Sequence, residues 1–263
     1  MQRVSADRTA RLSDDVVVLS NAVDLVKPIS WVEPSAAGLD PSNCYLVIAP
    51  DESLLIDTGL RAHSSSLAGQ IARYVSAATP LSIALTRIEP DCLGGLLEVA
   101  ERFNLVRISS QSNVIPFDYL GPFSSRFPQV QIVNGLHPGD EIPVGRHRRL
   151  LVVEPAVRTL PTLWYLDRAS GTLFTSDFFG EDRPSDPDDW QGHAVDVGTA
   201  RRHLHAKFDW LAIADTSAAL SRLDRAFSSF EIKTIAPGHG LWLTGTAQVE
   251  ERYRVVRTAL EPV

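Results

Sequence analysis

Residues 86–95 read Thr-Arg-Ile-Glu-Pro-Asp-Cys-Leu-Gly-Gly, and this stretch decides the fold. A short apolar run at positions 83–85 precedes it and is typical of a buried strand. Apolar residues follow at helical spacing over positions 96–103. The stretch is therefore predicted to be a turn between a strand and a helix. Loops at strand ends are where rigid scaffolds place functional side chains.

Three other places share this pattern, in which an apolar run ends in a turn with polar side chains. They are Asp57-Thr58-Gly59 after positions 54–56, Ser176-Asp177 after positions 172–175, and Pro237-Gly238-His239-Gly240 after positions 234–236. Together with residues 86–95 they supply the candidate catalytic and metal-binding side chains of the chain.

The rest of the chain alternates short apolar runs with amphipathic segments. Strands are predicted at 16–19, 45–49, 54–56, 83–85, 106–109, 150–153, 162–166, 172–175 and 234–236, and helices from 67 to the Thr79-Pro80 stop and at 96–103, 198–212, 216–230 and 246–260. No linker or repeat divides the chain, so residues 1–263 are predicted to form a single α/β domain with mixed sheets covered by helices. The polar segment 1–14 is expected to be a loose N-terminal extension.

Composition excludes several classes of protein. The 263 residues are 44% hydrophobic and 22% charged, which is typical of a globular protein and not of a disordered or membrane-spanning chain. The net charge of −7 argues against nucleic acid or an anionic membrane as partner. The only two cysteines, Cys44 and Cys92, exclude a disulfide framework and a zinc ribbon. With no apolar run near the N-terminus, we expect a cytoplasmic protein.

The four turns resemble those of the metallo-β-lactamase superfamily, in which a strand ending in Asp-Thr-Gly is followed by a strand ending in a His-rich motif. The match is closest to the lactamase-like domain of flavodiiron and oxygen-binding diiron proteins, whose motif reads His-x-Glu-x-Asp-His. Residues 43–46, Glu89, residues 174–180 and residues 235–240 fit that branch. The resemblance implies an αββα sandwich with two mixed sheets and a site at its upper edge.

The chain departs from the family pattern at three metal-binding positions. Arg87 and Cys92 replace two histidines of the motif, and Thr159 stands near the place of a third. The resemblance implies a first metal at positions 87, 89, 159 and 177 and a second at 91, 92, 177 and 239. The metal-binding candidates that remain are Glu89, Asp91, Cys92, Asp177 and His239.

Arg87 and Asp57 are the candidate catalytic residues. A guanidinium is permanently charged and repels a divalent ion, so the first metal is expected to be absent. Arg87 can instead bind Glu89 or Asp177 and neutralise them, or orient an anionic substrate. Asp57 is expected to brace the loop through hydrogen bonds.

Four of the five metal-binding candidates also have a purely structural interpretation. Asp91 and Asp177 can cap the turns that follow them, Cys92 can be an inert apolar residue, and His239 can pack beneath its turn. Among the other histidines, His193 is the candidate for a replacement ligand.

Two functions therefore stay open. In the first, one Zn²⁺ or Fe²⁺ ion at Asp91, Cys92, Asp177 and His239 activates water for hydrolysis or binds a small oxygen-containing ligand, as in a hydrolase or an oxidoreductase. In the second, a metal-free descendant of the fold binds a small molecule or a protein. A working flavodiiron reductase needs two irons and a flavin, and no flavin is expected in this chain. A homodimer is compatible with either function.

Overall fold

A computed structural model gives the fold and describes residues 4–25, 32, 38–111, 123–158, 160–184, 190 and 192–262. Within these residues, one sheet contains, in spatial order, β1 (Val4–Arg11), β2 (Val16–Asp24), β3 (Leu39–Ile48), β4 (Ser53–Ile56), β5 (Leu81–Ala84), β6 (Leu105–Ser109) and β7 (Gln131–Val133). The other contains β13 (Leu243–Thr244), β12 (Thr234–Pro237), β11 (Thr172–Ser176), β10 (Trp164–Asp167), β9 (Arg148–Val153) and β8 (Glu141–Val144). The helices are α1 (Ser64–Ile71), α2 (Pro90–Leu93), α3 (Leu96–Arg102), α4 (Phe123–Arg126), α5 (Val197–Lys207), α6 (Ser217–Ser229) and α7 (Thr246–Leu260).

Both sheets mix parallel and antiparallel pairs. In the first, β1 to β4 are antiparallel neighbours and β4 to β7 are parallel. In the second, only β11 and β12 run parallel among the described strands. Strands β10 and β11 form a hairpin, because they pair antiparallel across the turn that ends in Gly171.

Side-chain alternation along the strands produces four layers. In β2, Val17 and Leu19 face the core beneath α1 and α3, whereas Val16 and Val18 face the core between the sheets. In β9, Leu150 and the other residues of its face enter the same inter-sheet core, and the opposite face packs under α5, α6 and α7. Successive residues of a strand point to opposite faces, so each sheet is covered on both sides. The predicted αββα sandwich is confirmed.

The N-terminal segment differs from the expectation of a loose extension over residues 1–14. Residues Val4–Arg11 form β1 and pair with residues 17–23 of β2. Tyr74 and Arg73 also contact this strand, through Thr9 and Asp7 respectively. An edge strand needs no apolar sequence, because its partner supplies the hydrogen bonds and its outer side stays in water.

Three helix predictions need correction at their ends. The helix expected from residue 67 to the Thr79-Pro80 stop is α1, which begins at Ser64 and ends at Ile71. The segment 198–212 divides into α5 and a 3-10 turn, Asp209–Ala212, because Phe208 leaves helical geometry. Thr216 precedes α6 without capping it through its side chain, and its hydroxyl donates instead to the carbonyl of Leu260. None of the helices in the described parts of the chain is long and apolar enough to cross a membrane.

Candidate functional site

The four polar turns meet at one edge of the sandwich. Asp57 follows β4 and Arg87 follows β5 in the first sheet, whereas Asp177 follows β11 and His239 follows β12 in the second. The carboxyl ends of parallel strands point to the same edge, so these turns are adjacent although they are far apart in sequence.

Arg87 lies at the centre of the edge, with only 4% of its side chain exposed. Its Nε donates to Glu89, and its Nη2 contacts Asp91 and lies 3.1 Å from Asp177 Oδ1. Its Nη1 donates to Ser176 Oγ at 2.7 Å. The guanidinium therefore neutralises a group of carboxylates that would otherwise repel one another.

Lys207 is a second buried cation that the sequence did not indicate. It ends α5, is 3% exposed, and its Nζ donates to Asp177 Oδ1 at 3.0 Å. One signal was available, because Lys207 falls on the same helical face as the buried Ala200 and Leu204. A lysine on an apolar helical face needs a partner, and here the partner is a residue of the site.

His239 is held between two carboxylates. Its Nε2 is 2.8 Å from Asp91 Oδ2, and its Nδ1 is 3.4 Å from Asp40 Oδ2, whose carboxylate also binds Arg183 Nε at 2.9 Å. Burial alone would lower the pKa of His239, but the interactions with Asp40 and Asp91 outweigh it and raise this pKa. Asp40 and Arg183 are further site residues that the sequence did not indicate.

Strand β3 fixes the turn that carries His239. Asn43 Nδ2 donates to the carbonyls of Pro237 at 2.9 Å and Gly240 at 2.8 Å. The hydroxyl of Tyr45 donates to the Pro237 carbonyl at 2.6 Å. A strand of the first sheet thus holds a turn of the second sheet.

Asp91, Asp177 and His239 form a candidate metal-binding group, since one ligand atom of each lies within 4.8 Å of the others. Glu89 and Cys92 lie outside that group. The Cys92 thiol is buried, and its contact is Thr86 Oγ1 at 3.7 Å. Burial raises the pKa of this thiol well above its usual range, which disfavours the thiolate that a metal needs.

The two aspartates of this group have pKa values below the usual range of a carboxyl group. Burial opposes their charged forms, but Arg87 and Lys207 hold the pKa of Asp177 at about 2. Arg87 and His239 similarly hold the pKa of Asp91 below its usual range. Both side chains are therefore carboxylates at neutral pH.

Of the remaining candidates, His193 does not join the group. The ring of His193 is 3.1 Å from Asp182, in the loop that follows β11, and it is not a replacement ligand in this arrangement. Thr159 lies outside the described residues.

Asp57 braces the edge from beneath, as its turn predicts. It accepts hydrogen bonds from the backbone N–H of Thr86 at 2.8 Å and from its hydroxyl at 2.7 Å. That hydroxyl lies 3.1 Å from Ser176 Oγ, which in turn accepts from Arg87. Asp57 and Ser176 both have left-handed backbones, with φ of 57° and 55°, an unusual conformation for residues other than glycine. Strained positions of this kind cluster at functional sites.

Asp57 gives the site a testable pH dependence. Burial, although opposed by the hydrogen bonds from Thr86, raises the pKa of Asp57 to about 7. Between about pH 4 and pH 7 the folded state thus holds a proton that the unfolded chain has released, so this group lowers stability as the pH rises. In Asp57→Asn, the asparagine side chain has the same shape as aspartate but does not titrate in this pH range. The free energy of unfolding of this variant, relative to the parent, should rise across this range in urea titrations, and a constant difference would contradict the assignment.

A cavity of about 390 Å³ opens beside the network. Both charged and apolar side chains line it, and the lining consists of Leu60, Arg87, Glu89, Pro90, Asp91, Leu160, Thr162, Asp177, Lys207 and Phe208. Concave sites of this size bind small molecules in other proteins.

Solved structures with the same fold come from flavodiiron proteins. A variant of the flavodiiron protein of Thermotoga maritima has a TM-score of 0.72 and 17% identity, covering 98% of this chain and 61% of that one. A metal-soaked flavodiiron core from Synechocystis sp. PCC6803 has a TM-score of 0.74 and 16% identity, covering 98% and 62%. A fragment named as a diflavin flavoprotein, from Nostoc sp. PCC 7120, has a TM-score of 0.72 and 14% identity, covering 96% and 95%. The chain thus spans less than two thirds of the first two proteins.

Sequence comparison identifies the family. A search of curated proteins gives no match. The family model described as the metallo-beta-lactamase superfamily matches residues 37–239, which include all four polar turns. The resemblance found in the turns is thereby confirmed, and the chain belongs to the metallo-β-lactamase superfamily.

Proposed function

We propose that the chain is a metal-independent member of its superfamily whose cavity binds a small molecule. One observation carries the proposal. An oxygen that would hold a metal ion already binds two cationic side chains of the protein, since Asp177 Oδ1 lies 3.0 Å from Lys207 Nζ and 3.1 Å from Arg87 Nη2. Arg87 and Lys207 then supply the positive charge that metal ions supply to carboxylate clusters.

The residues of the group do not fit a metal ion in this arrangement. An ion bound to Asp177 Oδ1 would lie within about 5 Å of both cations, because metal–oxygen bonds are about 2 Å long. At that distance each cation repels a divalent ion by roughly 7 kcal/mol at an effective dielectric constant of about 20. In addition, a carboxylate only accepts hydrogen bonds, so His239 Nε2, 2.8 Å from Asp91 Oδ2, would have to lose the proton of this hydrogen bond before it bound an ion.

The alternative is a single-ion enzyme, either a hydrolase or an oxidoreductase. It is favoured by one observation, the proximity of the ligand atoms of Asp91, Asp177 and His239 within 4.8 Å. A Zn²⁺ or Fe²⁺ ion there would supply a Lewis acid that activates water. This function requires Arg87 and Lys207 to leave the oxygens that they contact.

Metal analysis separates the two functions. Protein purified without chelator should contain far less than one equivalent of zinc or iron, and added ZnCl₂ should not raise its melting temperature. Arg87→Met combined with Lys207→Met should gain a melting temperature that rises with ZnCl₂, because an ion that binds only the folded state stabilises it. Lys207→Met alone should gain no such rise, because Arg87 still contacts Asp177 Oδ1. One equivalent of metal in the parent protein would overturn the proposal.

The partners and location are proposed on composition alone. The net charge of −7 supports a protein that binds neither nucleic acid nor anionic membranes. A cytoplasmic location and a homodimer stay predictions.

A further inference from the structure

We propose that the ligand of the cavity carries a protonated amine, which Glu89, Asp91 and Asp177 bind through their carboxylates. This inference rests on the proposed function, in which the cavity is a metal-independent binding site. It replaces the sequence-based expectation of an anionic ligand.

The three carboxylates keep unused hydrogen-bonding capacity. In each carboxylate, one oxygen binds a cationic side chain of the protein. Glu89 Oε2 and Asp91 Oδ2 contact Arg87, and Asp177 Oδ1 contacts Lys207. Among the described residues, no partner contacts Glu89 Oε1, Asp91 Oδ1 or Asp177 Oδ2. These oxygens are acceptors only, so the missing partner must be a donor.

All three carboxylate residues line the cavity. Asp91 is the most informative of the three, because only 10% of its side chain is exposed and it nevertheless belongs to the cavity wall. Its Oδ1 is not among the described buried atoms that lack both a partner and contact with solvent, so this oxygen keeps some exposed surface. A largely buried acceptor makes a stronger charge-assisted hydrogen bond than one in water.

The cations of the wall are poorly placed to bind an anion. Arg87 and Lys207 are 4% and 3% exposed, and the nitrogens of Arg87 already bind Glu89, Ser176, Asp91 and Asp177. The lining contains two positive and three negative side chains, so its formal charge is −1. Complementarity of charge therefore favours a cationic ligand over an anionic one.

Apolar side chains define the rest of the ligand. Four of the residues that line the cavity are apolar, namely Leu60, Pro90, Leu160 and Phe208. Leu160 is 43% exposed although it is a large hydrophobic residue, so a ligand can still cover it. The cavity thus fits a short alkyl or aryl group attached to the amine.

Three probes of equal chain length test this inference: pentylammonium, 1-pentanol and pentanoate. Each is titrated into the whole chain at pH 7 and followed by NMR shifts or calorimetry. Pentylammonium should bind about tenfold or more tightly than the other two, the factor expected of one charge-assisted hydrogen bond. Glu89→Gln, at a half-exposed position, should weaken pentylammonium binding several-fold. Glu154→Gln, which lies outside the cavity lining, is the matched control and should change nothing.

The outcomes separate this inference from the proposed function. Tighter binding of pentanoate than of pentylammonium would overturn the inference that the ligand carries an amine. It would leave the proposal of a metal-independent binding cavity unchanged. Absence of binding by all three probes, or equal affinity of the parent and Glu89→Gln for pentylammonium, would also overturn it. The metal analysis tests the proposed function independently of every probe.

Discussion

Arg87→Met is expected to lower the free energy of unfolding by about 3–5 kcal/mol, the usual cost of removing one partner from a buried charge network. The side chain of methionine fills part of the space but leaves Asp91 and Asp177 without their shared guanidinium. Both carboxylates are largely buried, so water replaces the lost interactions only in part. Urea unfolding at pH 7 measures the change.

Arg73→Met is the matched control for this prediction. Arg73 also pairs with a carboxylate, Asp7, but more than half of its side chain is exposed. Exposed ion pairs contribute about 0–1 kcal/mol, so this variant should unfold close to the parent. Equal effects of the two substitutions would show that the buried network does not stabilise the fold.

Gly94→Ala is expected to be the most damaging glycine substitution at the site, at about 3 kcal/mol or more for a forced backbone shift. A Cβ atom at this position would lie 2.3 Å from the backbone nitrogen of Arg61 and 2.8 Å from the carbonyl oxygen of Gly59. Neither atom can rotate away, because both belong to the backbone of the turn after β4. The substitution therefore separates the two turns that build the site.

Gly69→Ala controls for the change of residue type. Gly69 lies in α1, and a Cβ there meets nothing within 4 Å. Alanine favours a helix over glycine by about 1 kcal/mol, so this variant should be more stable than the parent. Thermal unfolding of both variants should give shifts of opposite sign, and a stable Gly94→Ala protein would contradict the close approach of the turns.

The sequence predicted the central elements of the fold because local pattern and tertiary environment agree there. Val16 to Leu19 is apolar on both faces because β2 is buried between a helical layer and the other sheet. The pattern failed for β1, whose polar residues carry no strand signal and whose order depends on pairing with β2. The break at Phe208 depends similarly on tertiary packing, which periodicity does not encode.

Within the site, the interactions of residues in the motif-bearing turns were predicted, whereas residues that reach the site from other elements were missed. The interaction of Arg87 with Glu89 and with Asp177 was predicted, because all three lie in the motif-bearing turns. Lys207 and Asp40 were missed, since they reach the site from α5 and β3. The orientation of the Cys92 side chain also could not be predicted. The spacing of the motif indicates which turn contains Cys92, but not the direction in which its thiol points.

Hydrogen bonds from Asn43 and Tyr45 hold the turn that carries His239, and none of them involves the charged side chains of the site. These hydrogen bonds join protein to protein, so the turn keeps its position whichever ion or side chain occupies the edge. Side chains at positions such as 87, 92 and 207 can therefore be changed one at a time without removing the hydrogen bonds that hold this turn. A scaffold of this kind can exchange one chemistry for another without passing through a collapsed intermediate.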